Sequence, residues 1–322
     1  MTVDVSVVIP TRDRLWSLPR AVESCRSSTL KVQIILIDDA STDGTREWLQ
    51  QQRDLIVVPG EGWGKPWGVN RAMGLAEGTY VRFLDSDDWL NARANEVQYE
   101  VGKNTSADIV VSGMDIYRDD KFVETIPWIP TDDFVAQQLG ETLGSHYSAF
   151  LFRREFVSDI PHRTLFPASN FASRDDRCFV LEAALRHPRL AVSPMVALCH
   201  RLHGKPRLQS RGGLGAIGSH IQTLNVYRQI LKLLEERSEL TARRRRAANK
   251  ILWPLAHWIA RTDLDEGSRI ARWVFELEPK FKPPDTGWLG LLYRKLGFVG
   301  TARLLKLRRM VLAPLAWLAG QR

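Results

Sequence analysis

The sequence predicts an α/β fold with a mostly parallel sheet, followed by a region that is entirely helical. In the first 90 residues, short apolar runs typical of strands alternate with stretches of helical periodicity. This alternation is typical of β-α-β units with right-handed crossovers. Beyond about residue 215 the apolar residues recur only at helical spacing. The hydrophobic content of 44% is ample for a packed core.

The first strands of the predicted sheet are well marked. Apolar runs predict buried strands at 5–9, 32–37, 55–58 and 80–84. Helical spacing predicts helices that begin near Leu15, near Trp48 and at Val69, the last with Gly78 as its C′ residue. The glycine-rich segment 60–65 is too irregular for a nucleotide-cradling motif, and we expect it to be a flexible loop.

The middle of the chain gives weaker signals. Further strands are expected at 108–113, 148–152, 190–192 and 195–198, and a helix is expected at 173–185. Residues 114–145 follow no clear pattern. The C-terminal region predicts helices near 217–234, 242–261, 263–277, 286–297 and 300–319.

Charge is unevenly distributed along the chain. Residues 1–200 carry 21 lysines and arginines against 28 aspartates and glutamates, whereas residues 201–322 carry 24 against 9. A basic tail on an acidic body predicts an anionic partner, either a membrane surface or a nucleic acid. The run Arg243–Arg246 is also typical of a solvated helix face.

The cysteines and the N-terminus favour a cytoplasmic protein. The three cysteines lack the spacing of metal ligands, and we expect reduced thiols. The chain opens almost directly into a strand, so no signal peptide is expected. No apolar run approaches the roughly 20 residues that a membrane span needs.

Acidic residues follow two of the predicted strands and open a later helix. Asp38 and Asp39 follow the second strand, and Asp85 and Asp87 follow the fourth. Ligands of open α/β sheets bind at the carboxyl ends of strands, and paired oxygen donors suit Mg²⁺ or Mn²⁺. The same residues also suit a polar turn that caps the next helix. Asp175 and Asp176 are likewise favoured at a helix start by the helix dipole alone.

Six segments, in this order, resemble the motifs of family 2 glycosyltransferases of the GT-A fold. They are Val7–Thr11, Ile37–Thr45, the stretch with Asn70, Ala76 and Gly78, Leu84–Asp88 (the DxD motif), Arg174–Phe179 (the Glu-Asp-x-x-Phe motif) and His200–His203. The resemblance covers roughly residues 3–210. Three positions depart from the family pattern: Asp175 stands for the usual Glu, Cys199-His200 replaces the usual aromatic residue, and Val69 precedes Asn70 where Arg is common.

The resemblance implies an inverting, metal-dependent transfer of a sugar from a nucleotide-sugar, expected to be a UDP-sugar. It implies that Asp176 is the catalytic base and that Asp175 supports the helix. Asp87 is expected to bind Mn²⁺ or Mg²⁺ together with His203, although a lone histidine there could equally be structural. The residues expected to bind the donor are Pro10, Thr11, Arg12, Asp38, Asp39, Asn70, Arg71, Asp85 and Ser86.

The same resemblance sets the expected domains and partners. Residues 1–214 would form the GT-A domain, with a nucleotide-binding half at 1–90 and an acceptor half at 91–214. Residues 215–322 would form the basic helical region. The expected acceptor is a saccharide or a lipid-linked glycan. The protein itself is expected in the cytoplasm, in peripheral contact with the anionic inner face of a membrane. No nucleic acid is expected.

Two other functions remain open on the sequence alone. A sugar-nucleotide nucleotidyltransferase also uses acids and Mg²⁺, but it would want a glycine-rich phosphate loop that the segment 10–14 lacks. A non-catalytic membrane-binding or nucleic-acid-binding protein would use the basic tail, yet it would have no need for the carboxylate set. The amphipathic residues after Asp285 suit either an interfacial membrane contact or the core of a helical bundle.

Overall fold

The computed structural model describes residues 2–142, 146–163, 174–205 and 213–319. The chain divides into two compact units. The N-terminal unit comprises Met1–Gln138 and Thr142–Ser210, and the C-terminal unit comprises Leu139–Glu141 and Arg211–Arg322.

The N-terminal unit alternates strands and helices through its first 90 residues. Its strands are β1 (Val5–Thr11), β2 (Val32–Asp39), β3 (Ile56–Gly60), β4 (Tyr80–Phe83), β5 (Trp89–Leu90), β6 (Ile109–Val111), β7 (Met114–Arg118), β8 (Lys121–Ile126), β9 (Leu151–Arg153), β10 (Leu190–Val192) and β11 (Leu198–Leu202). Its helices are α1 (Leu18–Arg26), α2 (Thr45–Gln50), α3 (Lys65–Met73), α4 (Ala94–Thr105), α5 (Phe134–Ala136), α6 (Arg154–Val157) and α7 (Asp175–Ala184). A π-helical turn follows α5 at Gln137–Glu141, and a 3₁₀ turn spans Tyr147–Ala149.

The main sheet has seven strands in the order β10-β6-β9-β4-β1-β2-β3. All neighbours pair in parallel except at β9, which runs antiparallel to both β4 and β6. The interior strand β1, between β4 and β2, is buried almost throughout, because its valines and isoleucine face covered layers on both sides. The predicted mostly parallel α/β sheet is thereby confirmed.

Register brings the two acidic strand ends to one edge of this sheet. Thr11 of β1 pairs with Asp38 of β2, and β4 on the other side of β1 leads directly into Asp85. Gly78 keeps the start of β4 close to β1, since a Cβ there would lie 2.4 Å from the Ser6 amide nitrogen. The carboxyl ends of β1, β2 and β4 therefore share one rim.

A second, four-stranded sheet has the order β5-β11-β7-β8. It pairs β11 with the short β5 that follows the acidic motif, at Leu198↔Leu90 and Cys199↔Trp89. This pairing brings the end of β11 next to the residues after β4.

The C-terminal unit is helical, as expected. Its helices are α8 (Gly213–Glu236), α9 (Ala242–Ile259), α10 (Leu264–Leu277) and α11 (Gly287–Ala319). Gly267 of α10 lets that helix approach α9 closely, because a Cβ there would lie 2.5 Å from the Ala260 Cβ. In the part of the chain that is described, no helix is both long and apolar enough to cross a membrane.

Helix α11 is broken at Gly297, whose φ of 63° and ψ of −173° lie outside helical values. The Arg308 guanidinium lies 5.4 Å from the Trp288 ring, so the second half of α11 folds back beside the first half. Tyr293 is buried against Trp253 and His257 of α9, whereas Trp288 is 55% exposed. The side chain of Trp317 lies outside the described residues. The structure contradicts the burial of Trp288 that the helical-bundle alternative expects, while the packing of Tyr293 on α9 agrees with that alternative.

Several local predictions need correction. Helix α3 ends at Met73 with Gly74 as its C-cap, so Gly78 is a close-approach glycine and not a C′ residue. The unassigned stretch 114–145 contains the hairpin of β7 and β8, closed by Asp119 and Asp120 in left-handed conformations. The strand expected at 195–198 runs instead through Leu198–Leu202, and residue 173 of the helix expected at 173–185 lies outside the described residues.

Candidate active site

Two buried polar atoms without partners mark the carboxyl ends of β1 and β2. In the described residues, neither the Thr11 hydroxyl nor Oδ1 of Asp39 has a hydrogen-bond partner. The other Asp39 oxygen accepts a hydrogen bond from the Gly64 amide at 3.1 Å, which fixes the carboxylate. Because buried polar groups are nearly always paired, these two atoms indicate a place for a polar ligand.

Asp38 and Asp39 have different surroundings although they are neighbours. Asp38 accepts a hydrogen bond from the Ser41 amide at 3.1 Å and pairs with Arg46 at 3.2 Å, so it shapes the turn after β2. Gly60 leaves room for the Asp39 carboxylate, since a Cβ there would lie 2.9 Å from Asp39 Oδ1. Of the two acids, Asp39 is the one placed to receive a ligand.

The other residues expected to bind the nucleotide-sugar vary in exposure. Arg12 and Arg71 are exposed, and the Arg71 guanidinium lies 5.5 Å from the Trp67 ring. Pro10 is half-buried in β1. Asn70 exchanges two 2.7 Å hydrogen bonds with the backbone of His162, so its amide ties α3 to that segment. Its expected donor contact stays a prediction.

Asp85 stands at the centre of a charged cluster directly after β4. Lys65 Nζ lies 3.1 Å from one of its oxygens, and His146 Nε2 lies 3.6 Å from the other. Burial disfavours the charged form of Asp85, but Lys65, and to a lesser extent His146 and His200, lower its pKa to about 2 overall. Asp85 is therefore ionised at every physiological pH.

Asp87 and His203 meet across the two sheets. Oδ2 of Asp87 lies 2.9 Å from Nε2 of His203, and His203 directly follows β11. An oxygen and a nitrogen donor at this separation match neighbouring ligands of an octahedral ion with bonds of about 2.1 Å, whose ligand atoms lie about 3 Å apart. The donor set therefore fits Mn²⁺ or Mg²⁺.

The tautomer of His203 is constrained by its other nitrogen. Nδ1 accepts a hydrogen bond from the Lys205 amide at 3.2 Å, which leaves the proton of the neutral ring on Nε2, toward Asp87. An ion bound at Nε2 would displace that proton and require the Lys205 amide to turn away.

A second group of possible ligands lies beside the first. Ligand atoms of Asp88, His146 and His200 all fall within 4.8 Å of one another. Asp88 is already engaged, because it lies 2.9 Å from His200 Nδ1 and accepts a hydrogen bond from the Arg201 amide at 2.8 Å. Asp88 thus ties β11 to the acidic motif, and sequence reasoning missed this group.

Asp175 and Asp176 open helix α7, where the helix dipole favours acids. Asp175 is 1% exposed, and one of its oxygens has no partner in the described residues. Burial raises the pKa of Asp175 to about 7, with Asp176 and Asp85 adding to the rise and Lys65 opposing it. Asp176 is half-buried and accepts a hydrogen bond from the Arg177 amide at 2.7 Å.

Aromatic rings form the floor beneath this cluster. Phe83 stacks on Tyr147 at 4.9 Å, and His162 stacks on Phe179 of α7 at 4.2 Å. The Tyr147 hydroxyl lies 2.6 Å from His162 Nε2. Burial, with a smaller effect of Lys65, lowers the pKa of His162 well below its usual value, so this ring is neutral. All four of these side chains are buried.

Lys65 is the site residue that sequence reasoning missed most clearly. The segment expected to be a flexible loop places Gly64 against Asp39 and Lys65 against Asp85. Its signal in the sequence was present but weak: a glycine-lysine-proline step that opens a helix, with proline in the first turn.

Comparison with known proteins gives a family and a set of relatives. Residues 6–160 match the model of Glycosyl transferase family 2. The chain is 26% identical over 206 residues to the poly(ribitol-phosphate) beta-glucosyltransferase of Bacillus spizizenii, which covers 59% of this chain and 31% of that protein. It is 32% identical over 101 residues to the UDP-Glc:alpha-D-GlcNAc-diphosphoundecaprenol beta-1,3-glucosyltransferase WfaP of Escherichia coli, which covers 30% of this chain and 40% of WfaP. The chain thus spans less than half the length of these relatives.

A solved structure shares the fold. The crystal structure of S. aureus TarS residues 1–349 in complex with UDP-GlcNAc matches 94% of this chain and 90% of that chain, with a TM-score of 0.56 and 16% identity. The match confirms the GT-A fold that the motifs predict.

Proposed function

The chain belongs to glycosyltransferase family 2 through residues 6–160, and on this premise we propose that it transfers a sugar from a UDP-sugar to a hydroxyl group, with inversion. The strongest support is that three features meet at one rim. In the described residues, polar atoms of Thr11 and Asp39 have no partner there. Asp87 and His203 offer two ligand atoms at a spacing that suits a divalent cation, and two carboxylates open α7.

The nucleotide would bind at the ends of β1 and β2. The buried Asp39 oxygen can accept a hydrogen bond from a base N–H, and the Thr11 hydroxyl can bond to the base or ribose. Arg12, Arg71 and Ser86 would supply further contacts to the nucleotide-sugar, and Asp85 would contact its ribose or its diphosphate.

The reaction would be a single displacement at the anomeric carbon. The acceptor oxygen forms a bond to that carbon as the bond to the diphosphate oxygen breaks, and its electron pair leaves with the nucleoside diphosphate. Asp176 takes the acceptor proton, because it is the partly exposed member of the carboxylate pair on α7. Attack opposite the leaving group inverts the configuration.

A divalent cation would be held by Asp87 and His203 and would stabilise the negative charge of the departing diphosphate. Asp88 positions β11, and through it His203, by its hydrogen bond to the Arg201 amide. Asp175 supports the start of α7 from its buried position.

We propose that the acceptor is a saccharide or lipid-linked glycan of a cell-surface polymer. One relative is named for a diphosphoundecaprenol-linked acceptor and another for poly(ribitol-phosphate). The exposed Trp288, Leu304 and Leu307 of α11, among basic residues, would hold the protein at the anionic inner face of a membrane. The set of site carboxylates favours this enzyme over a purely binding role, and the lack of glycines in the segment 10–14 favours it over a nucleotidyltransferase.

Thermal unfolding tests the donor and the metal together. UDP with Mn²⁺ at about 100 times its dissociation constant should raise the melting temperature by about 5 °C or more, because the ligand binds only the native state. The His203→Ala variant should lose the increment that depends on Mn²⁺, whereas His200→Ala should keep most of it. A reversed result would assign the ion to the Asp88, His146 and His200 group, and no shift with any nucleotide would refute the donor site.

A further inference from the structure

Lys65 has an unusual setting for a lysine. Its side chain is only 13% exposed, and Nζ lies 3.1 Å from Asp85. Burial opposes its charge, but Asp85, Asp175 and Asp176 together raise the pKa of Lys65 above its ordinary value. The ammonium is therefore charged, and it is in direct contact with the Asp85 carboxylate.

The position of Lys65 is set by the backbone around it. Gly64 precedes the helix with a positive φ of 94° and donates its amide to Asp39, and Pro66 follows in the first turn of α3. The Lys65 ammonium lies 5.6 Å from the Tyr147 ring, which belongs to the aromatic floor. A single short segment thus links the nucleotide end of the rim, at Asp39, to the carboxylate cluster.

We propose that Lys65 is a diphosphate-binding residue that neutralises Asp85 until the donor arrives and then contacts the diphosphate as it leaves. This inference rests on the proposed function. The diphosphate of a nucleotide-sugar must lie between the nucleotide rim and the carboxylates of α7. Lys65 follows Gly64, which donates to Asp39, and its ammonium contacts Asp85, so it lies beside this path. A cation already desolvated there stabilises developing negative charge without further reorganisation.

The test compares two ligands that differ only in the phosphates. UDP binding is measured by calorimetry with saturating Mn²⁺, and uridine binding by saturation-transfer NMR, for the wild type, Lys65→Met and Lys65→Arg. Lys65→Met should weaken UDP binding at least tenfold and leave uridine binding unchanged, and Lys65→Arg should recover part of the loss. The exposed Lys121→Met is the matched control and should bind both ligands as the wild type does.

The outcomes separate this inference from the proposed function. If Lys65→Met binds UDP as tightly as the wild type, the diphosphate role is wrong while the donor site stands. The same conclusion follows if this variant weakens uridine binding by the same factor as UDP binding. If the wild type itself does not bind UDP with Mn²⁺, the donor assignment fails and this inference fails with it. Thermal unfolding of each variant shows whether the fold is kept.

Discussion

At the scale of single residues, the two carboxylates of α7 differ in burial and should differ in role. Asp176→Asn keeps the size of the side chain and removes its basicity. Turnover should fall by about 10²–10⁴-fold with donor binding retained, because a missing base affects the transition state more than the ground state. Asp175→Asn should have a much smaller effect on turnover. Steady-state kinetics and UDP binding check this, and the opposite ranking would make Asp175 the base.

Asp175 should also make stability depend on pH. Its pKa is raised from 3.8 to about 7 in the folded protein by burial and by the neighbouring carboxylates Asp176 and Asp85, against Lys65. The folded state therefore binds a proton that the unfolded state has released, and stability falls as pH rises through this window. Asp175→Asn removes the titrating group. The melting temperature of this variant minus that of the wild type should therefore be larger at pH 8 than at pH 4.5. An equal difference at both pH values would contradict the buried, shifted carboxyl.

The sequence predicted the carboxylates of the site better than their partners. Acids at strand ends have a clear local signal, and the family motifs gave expected roles to Asp39, Asp87 and Asp176. Lys65 and His146 carry no such signal, because their place in the site depends on the path of a loop and on a 3₁₀ turn. Tertiary packing alone brings these two side chains to Asp85.

At the scale of elements, Arg82 holds the strand that leads into the acidic motif. It is fully buried, and it donates to Asn95 at 3.1 Å, to the Ser148 carbonyl at 3.2 Å, and to Gln98. Burial lowers its pKa to about 10, slightly offset by Cys25, so it stays charged at neutral pH. The network joins β4 to α4 and to the turn that carries Tyr147.

Replacing Arg82 should therefore destabilise the fold strongly. Arg82→Met leaves buried acceptors on three residues unpaired and should cost about 2–4 kcal/mol of unfolding free energy. The exposed ion pair of Arg26 with Asp54 gives a matched comparison, and Arg26→Met should cost less than about 1 kcal/mol. Urea unfolding measures both, and equal costs would show that the buried network adds nothing.

Helices were easier to predict than the short strands of the second sheet. The helical period of α9 and α10 is carried by ten or more residues, and both helices lie within a few residues of their predicted positions. Strands β5, β7 and β8 are short or largely exposed and lack a buried apolar pattern. Strands β5 and β7 pair with β11, about 84–110 residues later in the chain, which no local window contains, whereas β8 pairs only with β7 in a hairpin.

At the scale of the whole molecule, the uneven charge leads to a prediction about membranes. The full chain should sediment with vesicles that contain anionic lipid at low salt and should be released at high salt, because the attraction of each basic residue, about 1 kcal/mol near the surface, is screened. Replacing Leu304 and Leu307 together by glutamine should reduce sedimentation, since both are exposed on α11.

The control for this test is a pair of exposed apolar residues elsewhere. Phe122 and Val123 on β8 are also exposed, and replacing both by glutamine should leave sedimentation unchanged. If the wild type stays in the supernatant with anionic vesicles at low salt, α11 has no membrane role and the acceptor need not be membrane-bound.

The antiparallel strand β9 has a consequence for how the protein is made. It joins the two parallel parts of the main sheet, because it lies between β4 and β6 and pairs with both. During synthesis, β1 to β4 can pair as soon as they leave the ribosome. The free edge of β4 has no strand to pair with until Leu151–Arg153 has emerged, about 70 residues later. Until then the nascent chain exposes an apolar strand edge, the feature that promotes pairing between chains. Chains that stop between β4 and β9 should therefore be the species that aggregate and need a chaperone, whereas the finished protein has that edge covered.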